Sequence, residues 1–471
     1  MKNDRIQTEK IGFKRMNYYM GLQNQMRKFF CLFRQCLLVS LFLTCLLLPV
    51  REALASPYDH FGLSSRAAAM GGAYTALATN YTGNYYNPAA LVFSPGASVG
   101  LGATFSSYYL YANDEKRKID PFYGMTISGV LPFKGMFENR TALGMLIFLA
   151  EGSKLYDMTS LPQGTEKFII EEDRPAHIQI LANLSVRLAP GLSIGGGLQV
   201  NQYLWSKINV AVDSNNLLGT PNAPVPLGDI DIINVYKGYP MYSLYYQPMD
   251  KLRFGLTYRE DMNFRLKLVS TVNIQGAKDL LGTVSNQIPV ELTVDCHILY
   301  TPRQATLGVA YQPLSPLTTS LDLSWMDWSN FPSPAPNISV FSPVPEVNQA
   351  FQNSNPPLVS PRKPGFHDTL VTRVGAEYKL FDWFSLRAGY MFTPSPVPKQ
   401  TDGTTNYLDS SRHTITFGTG FRFLDPIGIS VSPVEVGLHF QYHHFAQRKV
   451  TRDFTTKGSM LNTGLDVAFT F

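Results

Sequence analysis

The last eleven residues, Leu461 to Phe471, alternate between apolar and small or polar positions, with Thr463 the one polar residue on the apolar phase. Leu461, Leu465, Val467, Phe469 and Phe471 fall on one face, and Asn462, Gly464, Asp466, Ala468 and Thr470 on the other. Successive side chains of a strand point to opposite faces, so this pattern makes a strand with one greasy side. The same period returns upstream. Leu252, Phe254, Leu256 and Tyr258 alternate with Arg253, Gly255, Thr257 and Arg259; Phe384, Leu386, Ala388, Tyr390 and Phe392 alternate with Ser385, Arg387, Gly389 and Met391. Val434 to Tyr442 alternates with Glu435 to His443 in the same way. A face carrying Arg, Glu, Gln and His opposite a lipid-like face suits the wet lumen of a transmembrane β-barrel.

Strands are predicted near 98–111, 121–132, 140–151, 175–188, 192–211, 235–246, 251–269, 292–311, 317–329, 368–379, 383–393, 412–422, 434–446 and 460–471. Short connections (133–139, 189–191, 247–250, 312–316, 380–382, 423–433) alternate with long polar ones (112–120, 152–174, 212–234, 270–291, 330–367, 394–411, 447–459). Barrels keep short turns on the periplasmic side and long loops outside, and bacterial barrels have even strand numbers. Counting 288–312 as one strand gives about fourteen, with Pro302 marking a bulge or kink because proline removes a ladder bond. Loop 330–367, with Phe331-Pro332-Ser333-Pro334-Ala335-Pro336, reads as a solvated surface loop.

Composition sharpens this picture. Aromatics make up 13% and charged residues 16% of the 471 residues, the latter well below the roughly 25% of soluble domains. Residues 37–50 form an apolar run preceded by Arg27, Lys28 and Arg34 and followed by Ala53-Leu54-Ala55. That order is a secretory signal, so 1–55 is expected to be removed, with Met26 an alternative start. This leader carries a net charge of +6 out of +5 for the whole chain, which leaves the remainder near −1. The basic balance therefore gives no support for nucleic-acid binding. Of four cysteines only Cys296 lies beyond the leader, which excludes an internal disulfide there, and no His/Cys cluster suggests a metal. No cofactor is expected.

Residues 56–96 do not alternate. Ser64 to Ala78 is rich in small residues and helix formers, and Asn80 to Leu91 follows with Asn87-Pro88 as a turn signal. A segment of this apolarity is expected to fold as a plug inside a barrel formed by 97–471, rather than hang as a tail. Ala69-Met70-Gly71-Gly72-Ala73-Tyr74-Thr75-Ala76-Leu77-Ala78 with Asn87-Pro88-Ala89-Ala90-Leu91 resembles the hatch of the FadL/TodX outer-membrane transporters of long-chain fatty acids and hydrocarbons. Leu307 to Pro313, Trp325 to Ser329, Gly375 to Tyr378, Arg387 to Tyr390, Arg412-His413 and Phe417 to Phe423 match in the same order. Ala90 stands where the family usually has glycine.

The resemblance implies a fourteen-stranded barrel in the outer membrane of a Gram-negative bacterium, plugged by its hatch. It also implies passive uptake of long-chain fatty acids, or alternatively aromatic hydrocarbons, with sideways release into lipid. Candidate places for the lateral gap are 144–147 and the Pro302 strand. Expected partners are the hydrophobic ligand, outer-membrane lipid and lipopolysaccharide, and the barrel assembly machinery acting on the strand that ends in Phe471. Candidate hatch or ligand residues are Met70, Gly71, Gly72, Tyr74, Tyr85, Asn87 and Pro88; packing against the wall is the competing role for each. Candidate carboxylate contacts on the lumen face are Arg253, Arg259, Arg387, Arg412 and Arg422. Pairing with lumen acids competes, as for Arg387 opposite Glu377. Two other classes stay open. A diffusion porin predicts no plug. A barrel lipase would use a serine with His413, His439, His443 or His444, but His443 and His444 point to opposite faces and no serine shows a base-and-orienter arrangement.

Overall fold

The computed structural model describes residues 58–133, 140–151, 167–168, 170–171, 179–213, 228–275, 287–332, 337–343, 345, 349, 364–399, 407–425, 433–450 and 454–471. The expected signal segment lies outside these residues, as do most residues of the short connections expected at 133–139 and 423–433.

The alternating segments form one closed antiparallel barrel of fourteen wall strands. They are β1 (Ser98–Ala112), β2 (Phe122–Phe133), β3 (Thr141–Glu151), β4 (Gln179–Ala189), β5 (Leu192–Asp213), β6 (Gly228–Met249), β7 (Leu252–Arg259 continued by Met262–Gln275) and β8 (Gln287–Thr301 continued by Gln304–Leu314). The second half is β9 (Leu317–Met326), β10 (Thr369–Phe381), β11 (Phe384–Thr393), β12 (Arg412–Phe423), β13 (Val434–Lys449) and β14 (Thr455–Thr470). Each pairs with its sequence neighbour, and β1 closes the cylinder on β14 from Ser98 opposite Thr470 to Ala112 opposite Thr456. Closure leaves no edge strand, which lipid would not tolerate.

The side-chain phase follows the sequence pattern. Leu101, Leu256, Leu307, Val374, Leu386, Phe417, Leu438 and Leu465 are exposed on the outer face. Tyr246, Tyr378, Phe381 and Trp383 sit at the short-turn end, and Tyr123, Tyr242 and Trp325 near the other. These are the aromatic girdles of a membrane barrel.

Several expectations need correction. The predicted loops 212–234 and 270–291 are shorter, because β5, β6, β7 and β8 continue outward to Asp213, from Gly228, to Gln275 and from Gln287. Polar strand residues satisfy their backbone by pairing as well as by hydration, so a ladder does not stop where the lipid does. In this outer part β7 runs parallel to β5 (Lys267 beside Trp205), so the β5–β6 hairpin turns over above the wall. The interruption expected at Pro302 is present: the strand 292–311 is broken at Pro302–Arg303, and β7 breaks opposite it at Glu260–Asp261. The other suggested gap, 144–147, is laddered to β2 and β4 on both sides. The ends of loop 330–367 are not solvated: Phe331 and Phe366 stack at 4.4 Å beside Trp328, and Asn337–Phe341 adds a short strand to β8. Aromatic residues flanking the prolines supplied enough apolar area to pack.

Candidate functional site

Residues 58–96 fill the lumen as a hatch of short helices: α1 (Tyr58–Phe61), α2 (Ser65–Ala69), α3 (Gly83–Tyr86) and a 3₁₀ turn (Pro88–Phe93). Ser64 caps α2 through its hydroxyl, and Asn87 caps the 3₁₀ turn, with Pro88 at the first helical position. The chain leaves α2 through Gly71 and Gly72 at φ +66° and +75°, a conformation that disfavours side chains.

Directional polar bonds from the wall hold this segment. Asp322 of β9 accepts the backbone N–H groups of Tyr74 and Thr75 at 3.0 and 2.9 Å. Asp466 of β14 accepts the N–H of Ser65 at 2.8 Å and the hydroxyl of Tyr81 at 2.7 Å. Burial and this carboxylate push the Tyr81 hydroxyl well up, so it remains a donor. Asn84 donates to the carbonyls of Gly129 and Met145, and Asn183 donates to Asn84. Hatch carbonyls are met by Ser185 and Ser193 (to Ala89), Thr257 (to Tyr86), Ser320 (to Ala73), Thr416 (to Ala69) and Gln441 (to Ala68). Short helices leave most of their backbone groups unpaired, and the lumen supplies the partners.

The wall makes room with glycine. Gly100, Gly144, Gly195, Gly255, Gly308, Gly375, Gly389, Gly418 and Gly437 all face inward where hatch atoms lie so close that a β-carbon would collide or press on them. At Gly375 it would come within 2.7 Å of Met70 Cβ, and at Gly418 within 2.5 Å of Ala69 Cβ. In the sequence this belt shows as glycine recurring on the polar phase of many strands.

The candidate hatch residues divide. Gly71, Gly72 and Tyr85 line a small lumen space together with Arg259, Phe61, Tyr86 and Gln304. Met70, Tyr74, Asn87 and Pro88 do not: Met70 packs on Gly375, Tyr74 on Tyr86, Pro88 on Gly195, and Asn87 donates to the carbonyls of Thr75 and Leu244. The space holds about 30 Å³, room for a water or two, whereas a ligand pocket needs roughly 300 Å³ or more. Among the described residues this space between hatch and wall is too small for such a ligand. Above the hatch the lumen is capped by two apolar clusters, one around Phe61, Phe122, Phe148, Phe168 and Phe445, the other around Tyr300, Trp328, Phe331, Phe366 and Tyr407.

The candidate arginines do not converge. Arg259 donates to the Tyr85 carbonyl, lies 3.9 Å from the Tyr85 ring centre and 3.9 Å from Asp59. Arg387 pairs with Glu377 at 2.8 Å, and the hatch's Arg66 joins the same carboxylate at 2.6 Å. Arg422 meets Glu435 at the short-turn end at 2.9 Å, and Arg253 faces inward one turn of chain from that end, near Tyr245. Arg412 lies at the outer end against Glu171.

The structure also assembles a serine–histidine–asparagine line that sequence spacing hid. His439 Nδ1 is 3.0 Å from Ser65 Oγ and Nε2 is 2.9 Å from Asn462 Oδ1. Asn462 donates its amide to the Phe105 carbonyl, which orients it as acceptor toward the ring. A nucleophile–base pair needs space for a substrate carbonyl. Here Gly437 and Gly464 pack against Ser65 and His439, and all three members of the line are buried between hatch and wall. The arrangement is a lock on α2. Of the other histidines, His443 bonds Thr414 and Gln441 inside, His413 bonds Tyr390, and His444 is exposed.

Comparison with known proteins decides the family. Residues 176–471 match the model of the outer membrane protein transport family (OMPP1/FadL/TodX). The chain belongs to this family. As a FadL/TodX-family protein it is an outer-membrane transport barrel for hydrophobic compounds, and the family is one of transporter channels rather than enzymes. Its fold is similar to a crystal structure of a FadL homologue of Pseudomonas aeruginosa (TM-score 0.55, 15% identity, 90% of this chain and 99% of that one). It is also similar to the toluene transporter TodX of P. putida (TM-score 0.52, 16% identity, 87% and 99%). Alkane uptake protein A of Marinobacter nauticus is 31% identical over 94 residues. That stretch covers 20% of this chain and about a fifth, 21%, of the relative.

Proposed function

We propose that this chain carries hydrophobic small molecules, long-chain fatty acid or hydrocarbon, passively across the outer membrane, with residues 56–96 as a ligand-responsive hatch behind a cleaved signal of 1–55. The observation that carries this reading is the plugged lumen: among the described residues the hatch is bonded to most wall strands beneath apolar clusters, and the space lined by Tyr85 and Arg259 has room for little more than water. A diffusion porin needs an open aqueous path. A hydrophobic carrier needs an apolar chamber, which removes about 25 cal/mol per Å² of apolar surface from water. Ligand enters among the outer aromatics and shifts the population toward a state in which the cap and hatch give way. Release is sideways into lipid, since the hatch blocks the periplasmic mouth. Gly71, Gly72, Tyr85 and Arg259 are the residues placed to sense a ligand arriving above the hatch. The similarity to a toluene transporter and to part of an alkane uptake protein supports an apolar cargo. The strand ending in Phe471 is proposed as the signal read by the barrel assembly machinery.

The test is uptake of labelled oleate, toluene and hexadecane into liposomes carrying the full chain or a variant lacking 58–96. Ligand-selective uptake with low ion conductance, and loss of selectivity with high conductance in the variant, is expected. High conductance without uptake in the full chain overturns the proposal.

A further inference from the structure

Arg412 opens β12 at the outer end of the barrel, and its guanidinium reaches inward beneath the outer loops. Nη1 lies 3.0 Å from Glu171 Oε1 and 3.0 Å from His60 Nδ1, and the guanidinium carbon stands 5.8 Å from the Phe445 ring centre. Arg412 and Glu171 are 3% and 4% exposed. The surroundings are apolar, with Phe61, Phe168, Leu408 and Phe445 in one cluster. Arg412 Nε is buried without an acceptor.

Glu171 does not belong to the wall. It comes from the outer segment between β3 and β4, in a turn closed by its N–H on the Phe168 carbonyl at 3.0 Å. That turn is seated by parallel pairing of Lys167–Phe168 with Tyr407–Leu408 of another outer loop. A carboxylate on an apolar stem, delivered from outside onto a buried arginine among packed aromatic side chains, has the chemistry of a fatty-acid head group.

We propose that Glu171 is a built-in carboxylate that neutralises Arg412 and so makes the chamber select uncharged hydrophobic molecules over fatty acids. This rests on the reading of the lumen as a hydrophobic-ligand chamber. A tethered carboxylate acts at an effective concentration of about millimolar or more, far above that of a free fatty acid in water. A fatty acid that displaced it would also leave one of two carboxylates buried without its cation. An uncharged chain meets a neutral pair and pays neither cost. Of the cations deeper in the lumen, Arg66 and Arg387 share Glu377 and Arg259 faces Asp59, while Arg373 donates to the Ser324 hydroxyl and is felt by the Asp322 carboxylate.

The experiment measures binding of probes of one chain length, palmitate, 1-hexadecanol and hexadecane, to the purified full chain. Glu171→Gln and the double variant Glu171→Gln/Arg412→Gln are measured beside it. Wild type is expected to bind 1-hexadecanol at least about ten-fold more tightly than palmitate. Glu171→Gln, which leaves the arginine without its carboxylate, should shift that ratio toward palmitate by about ten-fold or more, a change of about 1.4 kcal/mol. The double variant should restore the wild-type preference. Heat-dependent gel mobility confirms that each variant is folded. Equal or tighter palmitate binding by wild type overturns the inference without reference to any variant, as does an unchanged ratio in folded Glu171→Gln. Binding of none of the probes by wild type would overturn the transport reading itself, and the inference with it.

Discussion

The carboxylate of Asp322 stands 2.9 Å from the backbone nitrogen of Thr75, so a wall strand grips the main chain of the hatch. The same oxygen takes the N–H of Tyr74 at 3.0 Å. Hydrogen bonds to a charged group contribute about 1.5–3 kcal/mol each. Asp322→Ala is expected to free this part of the hatch, raise single-channel conductance in planar bilayers and expose residues near Thr75 to protease. Asp322→Asn keeps one acceptor oxygen and should show a smaller effect. Conductance unchanged in Asp322→Ala would mean that the other tethers suffice alone.

Gly389 of β11 lies directly over the backbone of Met70 and Gly71. Overpacking a tight site costs about 1–3 kcal/mol, and backbone yields less than a side-chain tip. Gly389→Ala is therefore expected to lower thermal stability and loosen the hatch. Ala388→Val, one residue away on the lipid side, should be nearly silent. Equal effects from the two substitutions would refute the role assigned to the glycine belt.

Glu377 is 2% exposed and balances two arginines, Arg66 from the hatch and Arg387 from the neighbouring strand. Removing one member of a buried charge pair costs about 3–5 kcal/mol because the remaining charge stays buried. Glu377→Gln should lower the temperature at which the folded barrel loses its compact gel mobility. Adding Arg66→Met, which removes one of the two stranded cations, should recover part of the loss.

Asp409 sits in an outer loop just before β12. Burial pushes its carboxyl up to about 6, against the lowering effect of bonds from Ser395 and Ser410 and of Arg412 and Arg448. Glu171 and His60 face Arg412 from the other side. A pKa raised on folding means that the folded loops bind the proton more tightly than the unfolded chain. Stability is lost as pH rises from about 4 to about 6 and is regained on acidification, by up to about 3 kcal/mol. Protection of outer-loop amides, taken as the exchange rate relative to the intrinsic rate at each pH, is expected to rise between pH 7.5 and pH 5. Asp409→Asn should be well protected at both values. A loop less protected at pH 5 than at pH 7.5 would reverse the sign and refute this assignment.

How much was legible from the chain depended on range. The strand phases were legible because lipid outside and water or hatch inside impose a period of two on each strand independently, and Leu461 to Phe471 carries that contrast in eleven residues. The count of fourteen followed from parity, and the kink at Pro302 from the missing N–H. The Arg387–Glu377 pair was legible because adjacent strands place residues opposite each other in a register set by a short turn. The outer hairpins were read too short, because the sequence signals where lipid ends and not where pairing ends.

By itself the sequence determined the solvent of each face, the wall with its fourteen strands, and a non-alternating segment too apolar to remain outside. Only the tertiary structure decided how that segment is held. Thr75 meets Asp322, Ser65 meets His439 and Arg412 meets Glu171 across separations that no local period encodes. Met70 lies against Gly375 and Tyr74 against Tyr86, while Gly71, Tyr85 and Arg259 line the lumen space, because a cylinder brings distant strands to one level. Which polar group meets which depends on that level and not on spacing along the chain.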